Sequence, residues 1–229
     1  MPITIKDNIP IKGLQLAWGS NLYKGQIAGN DETPVERLRA QGAVILRKTN
    51  VSEFTLGRGD VNTLAFGVTR NPYDPALTSG ASTGGGAAAT AAGIGTVAIG
   101  TDGGGSIRRP ASYNNLVGLK SSTGRVARVN GLPPILGDFE IIGPLARSVG
   151  DLALALSAIE GPDAHDRASY GFSKGGIEPV RRGQKILFVR NVAGMTVEEP
   201  ISDRDTRLPV TAPVSKNGPS PQQSAEFNS

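Results

Sequence analysis

The pattern of apolar and polar residues predicts that extended and helical segments follow one another along the chain. Residues 3–6 alternate in hydrophobicity, which predicts a strand close to the N-terminus. Residues 7–10 combine Asp, Asn and Pro and therefore form a turn signal. A second short strand is expected over residues 11–16. The chain is thus expected to begin with extended structure.

A helix and a strand are predicted next. Thr33 is a suitable cap, Pro34 fits the first helical position, and Glu36 completes a capping box. Gly42 is expected to end this helix, because glycine readily adopts the backbone conformation that closes a helix. The apolar residues 43–46 then predict a buried strand.

A second helix and strand begin in an alanine-rich segment. Residues 84–92 predict a helix, the glycines within 93–95 stop it, and residues 96–100 predict the strand that follows. The small side chains let such a helix pack closely against neighbouring backbone. A further short strand is expected over residues 116–119.

The last predicted elements are a helix over residues 149–160 and a strand over residues 185–190. Ser148 caps this helix, and Asp151 completes its capping box. Helices that alternate with apolar strands predict an α/β fold, with a mixed, mostly parallel-type sheet core flanked by helices.

The composition changes near the C-terminus, where proline, serine, glutamine and asparagine become frequent. Such a segment buries too little apolar surface to offset its ordering entropy. We therefore predict one domain over residues 1–199 and a disordered tail over residues 200–229.

The cysteine and histidine counts exclude several kinds of active site. None of the 229 residues is cysteine, which excludes thiol nucleophiles, disulfides and cysteine-based metal sites. The single histidine, His165, lies among turn-forming residues and is interpreted as a solvated loop residue. A Ser-His-Asp triad or a zinc site is therefore not expected, and we predict neither a metal nor a cofactor.

Charge and hydropathy indicate neither a nucleic-acid partner nor a membrane partner. The net charge is +4, but the basic residues are scattered, so we expect no nucleic-acid interface. No signal peptide or membrane span is visible, and we expect no membrane partner and a cytoplasmic location.

Residues 78–110 hold the strongest chemical signal, two glycine-flanked serines, Ser82 and Ser106. Glycines around a serine let backbone N–H groups approach a ligand or an oxyanion. The segment could cradle a phosphate, form a nucleophile site or make tight turns. A phosphate loop is disfavoured, because Gly86 and Ala87 stand where its Lys and Ser/Thr are needed.

A serine nucleophile needs a base, and histidine is effectively unavailable. A lysine kept neutral by burial can serve instead. Lys6 is the best candidate, because it ends a predicted strand in apolar surroundings. The alternative interpretations are that Lys6 is an ordinary surface lysine and that both serines are turn or cap residues.

Several segments together resemble the amidase signature family of serine hydrolases. Its members carry a GGSSGG-like loop, an alanine-rich helix and the motif GTD-x-GGSIR-x-PA. The matching segments here are GASTGGG, AAATAAG and GTDGGGSIRRPA. Further similar segments are TIKDNIPIKG, VERLRAQGAVILRKTNVSEF, NLVGLKSSTGRV and GPLARSVGDLALAL. The resemblance covers most of the chain and implies the amidase signature fold.

The resemblance implies a Ser-cisSer-Lys mechanism. It makes Ser106 the nucleophile, Ser82 a bridging serine that follows a cis peptide bond from Ala81, and Lys6 the ultimate base. Backbone N–H groups near the nucleophile are expected to form the oxyanion hole. These belong to Gly103, Gly104, Gly105 and Ser106.

Three other residues have supporting roles under this resemblance. Thr83 stands where the family usually has a second serine, and is expected to contact substrate or Ser82. Asp102 and Arg108 are expected to hold the loop in place, as a structural ion pair.

Three substitutions depart from the family pattern close to this chemistry. Ala81 replaces the usual glycine before the bridging serine. Gly103 replaces a Thr or Ile-like residue, which predicts a wider pocket. Arg109 replaces a common apolar residue and adds a charge near the site.

The chain is also shorter than the family pattern. We therefore expect a compact or truncated member, truncated at both ends, with an open site. We also expect an exposed sheet edge and apolar faces, which would favour a homo-oligomer.

The predicted function is hydrolysis of small-molecule carboxylic amides, with esters as further substrates. An amidotransferase subunit is the alternative within the family, which the short chain disfavours. A catalytically silent fragment that acts as a binding or structural module is the alternative outside enzymes.

Overall fold

A computed structural model describes residues 1–57, 59–131 and 136–175, with the backbones of 186–187 and 214–215. The chain forms two compact units, Met1–Ile177 and Glu178–Ser229. In the second unit, the described residues form a parallel pair of two-residue strands.

The first unit is built on one mixed sheet. The strands of the chain, in order, are β1 (Pro2–Lys6), β2 (Val44–Thr49), β3 (Val61–Thr63), β4 (Gly67–Thr69), β5 (Val97–Asp102), β6 (Val117–Gly118), β7 (Ile141–Ala146), β8 (Ile186–Leu187) and β9 (Val214–Ser215). The sheet has the order β2-β1-β5-β7-β6, while β3 and β4 form a separate antiparallel hairpin. Strand β1 is parallel to β2 and β5, whereas β7 is antiparallel to β5 and β6. The predicted α/β fold with a mixed sheet is confirmed, with parallel and antiparallel pairings in equal number.

The helices of the first unit are α1 (Thr33–Ala40), α2 (Gly84–Ala91), α3 (Arg108–Tyr113) and α4 (Val149–Ile159). Short 3₁₀ turns lie at Asn21–Tyr23, Glu53–Thr55, Gly137–Phe139 and Arg167–Ser169. No helix in the described part of the chain is long and apolar enough to cross a membrane.

The main core lies between the central strands and helices α1 and α4. Its members are apolar side chains at or below 5% exposure, and they include Ile3, Ile5, Val35, Leu38, Val97, Ile99, Leu152, Leu156 and Ile159. Burial of this apolar surface fixes β1 and β5 next to each other, with Ile5 opposite Ile99. Because the two strands are parallel, their C-terminal ends lie at the same edge of the sheet. Lys6 and the Thr101–Asp102 pair are therefore neighbours.

Several predicted boundaries are correct, but two local predictions before β2 are wrong. Ser148 caps α4 by accepting a hydrogen bond from the Asp151 N–H at 3.1 Å. Residues 11–16 do not form a strand, since only Gln15 makes an isolated bridge. The cap of α1 is Glu32 rather than Thr33, because the Glu32 carboxylate accepts from the Thr33 N–H.

Strand β2 was predicted to be buried, and this is wrong. It is the edge strand of the sheet, so among the described residues only β1 pairs with it. Val44 is 58% exposed and Leu46 is 44% exposed. An apolar run cannot reveal whether a strand is central or at an edge.

Other elements were not predicted from the sequence. Strand β7 lies fully buried between β5 and β6 although it contains Gly143 and Pro144, which normally argue against a strand. Helix α3 and the β3–β4 hairpin were also missed. The predicted strand over 185–190 lies outside the described residues except for 186–187. The predicted tail also lies outside them, apart from the strand at 214–215, and the domain over 1–199 stays a prediction.

Candidate active site

Lys6 ends β1 and is completely buried. Its Nζ lies 2.7 Å from Ser82 Oγ and 2.7 Å from Thr101 Oγ1. It also lies 3.3 Å from the Thr101 carbonyl oxygen. The interpretation of Lys6 as an ordinary surface lysine is therefore wrong.

Burial lowers the pKa of Lys6 from 10.5 to about 7, because desolvation disfavours the ammonium form. The carboxylates of Glu140 and Asp102 oppose this shift, and Arg128 adds to it. A substantial fraction of Lys6 is consequently a neutral amine near pH 7. A neutral amine has two N–H groups and one lone pair. The two Thr101 oxygens can accept from the N–H groups, which leaves the lone pair for the Ser82 hydroxyl.

Thr101 and Asn8 belong to this arrangement and were missed from the sequence. Thr101 Oγ1 accepts from Asn8 Nδ2 at 3.2 Å as well as from Lys6. Their positions in the sequence could have pointed to them, since Asn8 follows Lys6 by two residues and Thr101 directly precedes Asp102. Only the pairing of β1 with β5 reveals that these positions meet.

Ser82 follows a cis peptide bond from Ala81, as the resemblance implied. Its side chain is 1% exposed, and it is positioned by the segment that leads into α2. The cap residue of α2 is Thr83, which makes no side-chain cap bond. Ser82 therefore does not cap this helix and is instead directed at Lys6. Ala81 is itself 2% exposed, so its methyl group fits within the packed loop.

Thr83 links the two serine loops. Its N–H donates to the Ser106 carbonyl at 3.1 Å, and its Oγ1 donates to the Thr101 carbonyl at 3.3 Å. Ser106 is half-buried and precedes α3, whose cap residue is Ile107. The buried Thr83 thus supports the backbone of the Ser106 loop.

Asp102 anchors the loop that carries Ser106. Its fully buried carboxylate accepts from the N–H groups of Gly105, Ile107 and Arg108 at 2.8, 3.0 and 3.2 Å. It also accepts from Arg108 Nε at 3.0 Å and from a terminal guanidinium nitrogen at 2.9 Å. Burial alone would raise the pKa of Asp102, but these hydrogen bonds outweigh it and lower the pKa to about 2. This geometry agrees with a structural role for Asp102 and Arg108.

The proposed set of oxyanion donors needs one correction. The Gly105 N–H is directed at Asp102 and is therefore committed to the anchor. The candidate donors are consequently reduced to the N–H groups of Gly103, Gly104 and Ser106.

The expectation that Gly103 widens the pocket stays a prediction, and Leu136 limits the space beside this glycine. A Cβ atom on Gly103 would stand 2.5 Å from Leu136 Cδ1. The space that a larger residue would fill is therefore already occupied by Leu136, which precedes β7.

A network behind the two serines fixes their loops. Asn114, at the end of α3, donates through Nδ2 to the carbonyls of Ser79 and Pro110, each at 2.8 Å. Helix α3 also lies against Gly80, where a Cβ would be 3.0 Å from the Pro110 Cα. The described residues contain no group of three or more potential metal ligands. The arrangement offers a buried base, a relay serine and a loop rich in N–H donors.

Comparison with known proteins supplies relatives of high similarity. The chain is 39% identical over 208 residues to a glutamyl-tRNA(Gln) amidotransferase subunit from Symbiobacterium thermophilum, covering 89% of this chain and 42% of that protein. It is 46% identical over 170 residues to the corresponding subunit from Sulfurisphaera tokodaii, covering 74% of this chain and 36% of that protein. The chain therefore spans about two-fifths of the length of these relatives.

Solved structures show the same fold. Peptide amidase from Stenotrophomonas maltophilia superposes with a TM-score of 0.71 at 40% identity, covering 76% of this chain and 36% of that one. The glutamyl-tRNA(Gln) amidotransferase subunit from Thermotoga maritima superposes with a TM-score of 0.70 at 36% identity. The match covers 74% of this chain and 37% of that one. The family model described as Amidase matches residues 1–201. With this match over most of its length, the chain belongs to the amidase family, as its motifs predicted.

Proposed function

We propose that the chain hydrolyses carboxylic amides to an acid and an amine through an acyl-enzyme on Ser106. The observation that carries this proposal is the buried contact of 2.7 Å between Lys6 Nζ and Ser82 Oγ. It provides a serine relay with a base that burial keeps partly neutral at physiological pH.

In the proposed first step, Ser106 Oγ attacks the amide carbonyl carbon. Its proton passes to Ser82 Oγ while the Ser82 proton passes to the lone pair of Lys6. The resulting oxyanion accepts from the N–H groups of Gly103, Gly104 and Ser106, and losing one such donor typically costs about 10²–10³ in rate. The proton then returns through Ser82 to the leaving nitrogen as the C–N bond breaks.

The second half regenerates the enzyme. Water attacks the ester carbonyl of acyl-Ser106, and Lys6 with Ser82 removes the water proton. The Ser106 oxygen leaves and regains its proton by the reverse relay. Aryl esters fit the same route, because their acyl transfer uses the same nucleophile and a leaving group that needs less protonation.

An amidotransferase subunit is the second candidate, and the names of the relatives favour it. The peptide amidase among the similar structures favours a hydrolase that acts alone. Ammonia release from glutamine, compared with hydrolysis of simple amides by the isolated chain, separates the two. A catalytically silent module would hydrolyse neither.

The direct test uses p-nitroanilide and p-nitrophenyl acyl substrates. Ser106→Ala, Ser82→Ala and Lys6→Ala are compared with Ser122→Ala, a control at an exposed serine. We expect the first three variants to lose activity and the control to keep it. A wild type no faster than Ser106→Ala would overturn the proposal. A serine-reactive fluorophosphonate should label Ser106, and labelling elsewhere would overturn the nucleophile assignment alone.

Self-association is a further part of this proposal. Val44 and Leu46 on the edge strand β2 are exposed. An exposed apolar edge strand can pair with a strand of a second copy of the chain. Light scattering across a concentration series would test it, and a monodisperse monomer at high concentration would count against it.

A further inference from the structure

The side chain of Arg109 lies across the loop that carries the proposed nucleophile. The Arg109 N–H donates to the Gly105 carbonyl at 2.9 Å. A Cβ atom on Gly105 would stand 3.1 Å from Arg109 Nε and 3.4 Å from its Cγ. Gly105 directly precedes Ser106, so the Arg109 side chain passes beside the residue next to the nucleophile.

The two neighbouring arginines differ in how their charges are used. Arg108 is bound by Asp102 through two nitrogens. Arg109 is exposed, and none of the ion pairs found among the described residues includes it. Glu140, an acid that acts on the pKa of Lys6, lies 3.8 Å from Arg128. Arg109 therefore contributes positive charge beside the site that no described carboxylate neutralises.

The same loop also has an apolar neighbour. Leu136 lies against Gly103, where a Cβ would be 2.5 Å from its Cδ1, and Leu136 is itself 45% exposed. The loop that carries Ser106 thus has an aliphatic side chain beside Gly103 and the Arg109 side chain beside Gly105. A short aliphatic chain that ends in an anion matches both features.

Resting on the proposed function, we infer that Arg109 is a specificity-determining residue that selects amides carrying a free carboxylate. A guanidinium presents paired N–H donors whose spacing matches the two oxygens of a carboxylate. Because the Arg109 side chain packs against Gly105, next to Ser106, a carboxylate on a substrate bound at Ser106 would lie within reach of the guanidinium. The carboxylate can lie on the acyl part or on the amine part of the substrate.

Two matched substrate pairs test this inference and distinguish the two positions. Succinamate against butyramide places the carboxylate on the acyl part. N-butyrylglycine against N-ethylbutyramide places it on the amine part. We expect wild type to prefer the anionic member of at least one pair in kcat/KM. Arg109→Gln should reduce that preference roughly 10- to 100-fold, as expected for loss of hydrogen bonds to a charged group. Arg109→Lys should keep part of it.

Arg47→Gln, at an exposed arginine on the edge strand β2, is the matched control and should leave the preference unchanged. The preference should also weaken at high ionic strength, since both charges are accessible to solvent. Equal kcat/KM within both pairs, or an undiminished preference in Arg109→Gln, would overturn the inference.

A binding measurement separates this inference from the proposed function. Calorimetric titration of Ser106→Ala with succinamate and with butyramide requires no turnover. Tighter binding of succinamate that is lost in Ser106→Ala/Arg109→Gln supports the carboxylate site even if the chain hydrolyses none of these amides. Equal binding of the two ligands overturns it even if the chain is an active amidase.

Discussion

Lys6 and Ser82, far apart in the sequence, lie with Nζ 2.7 Å from Oγ in a position closed to solvent. The parallel pairing of β1 with β5 brings this lysine to the edge of the sheet where α2 begins. Burial then lowers the pKa of Lys6 to about 7. The Lys6 amine, whose charged form is unfavourable to bury, therefore lies where its neutral form can accept a proton from Ser82.

Lys6→Met is expected to change activity and stability in opposite directions. Loss of a general base should reduce kcat/KM by roughly 10²- to 10⁴-fold. The free energy of unfolding at pH 6 should rise, because methionine fills similar space without a charge to desolvate. Turnover of a p-nitroanilide and urea unfolding measure the two effects. Equal losses of activity and stability would show that the lysine is merely structural.

The pH dependence of wild type gives a second measure of the same group. The pKa of Lys6 is lowered on folding, so between about pH 7 and 10.5 the unfolded chain binds more protons. The contribution of Lys6 to stability therefore increases as the pH rises through that window. Activity should rise with pH around 7, as the amine loses its proton. Urea unfolding at pH 6 and pH 9 should differ less in Lys6→Met than in wild type.

Thr101→Val removes one of the oxygens that hold Lys6 while keeping the shape of the side chain. The Lys6 and Asn8 donors would lose their common acceptor, at a cost of about 1–3 kcal/mol in the free energy of unfolding. The ammonium form loses more than the amine, so the pH midpoint of activity should fall as kcat falls.

Thr90→Val is the matched control for this variant. Thr90 is also buried, and its hydroxyl has no hydrogen-bond partner in the described part of the chain. This substitution should therefore cost little stability and leave the pH profile unchanged. A Thr101→Val enzyme with the wild-type pH profile would contradict a role in positioning Lys6.

The sequence predicted the contiguous parts of the site better than the parts formed by folding. Ser82, Ser106 and Asp102 lie within one segment whose glycines and motif carry their own signal. Thr101 lies in the same motif, but its contact with Lys6 arises from strand pairing, which the motif does not reveal. The commitment of the Gly105 N–H to Asp102 depends on where a side chain turns, which no sequence spacing reveals.

In the fold, too, local features were predicted better than features that depend on distant residues. Helix α4 was predicted with its cap, because Ser148 and Asp151 interact within one turn. Strand β7 was missed, since Pro144 and Gly143 disfavour a strand locally and only burial between β5 and β6 favours it. Local capping can be predicted from sequence, whereas position in a sheet depends on distant residues.

Asp102→Asn should loosen the loop that carries Ser106. The buried carboxylate accepts several hydrogen bonds, and an amide would direct an NH₂ group at backbone donors. We expect a loss of roughly 2–4 kcal/mol in the free energy of unfolding at pH 7, as hydrogen bonds to charged groups contribute about 1.5–3 kcal/mol each. Activity should fall as well, because Ser106 and the oxyanion donors share this loop.

The pH dependence of this loss identifies the carboxylate. The pKa of Asp102 is lowered on folding to about 2, so its stabilisation is present above the ordinary value of 3.8 and is lost as the pH falls towards 2. The difference between wild type and Asp102→Asn should therefore shrink below pH 4. Asp74→Asn, at an exposed position, should cost little at any pH. A difference that stays constant down to pH 2 would contradict this assignment.

Gly100→Ala tests whether Thr83 couples the two serine loops. A Cβ atom on Gly100 would stand 2.3 Å from Thr83 Cγ2 and 2.7 Å from its Oγ1. Thr83 would have to move, and with it the N–H that donates to the Ser106 carbonyl. We expect a loss of about 1–3 kcal/mol in stability, typical of an overpacked interior, together with a lower kcat.

Gly29→Ala is the control, because a Cβ at this position would have no atom within 4 Å. The double variant Gly100→Ala/Thr83→Ala removes the closest contacts and should recover part of the lost stability, which a double-mutant cycle measures. Since Thr83→Ala keeps the backbone N–H, the double variant should also regain kcat relative to Gly100→Ala. Additive losses of stability in the cycle would mean that the alanine methyl is accommodated without displacing Thr83, and that Thr83 does not couple the loops through this contact.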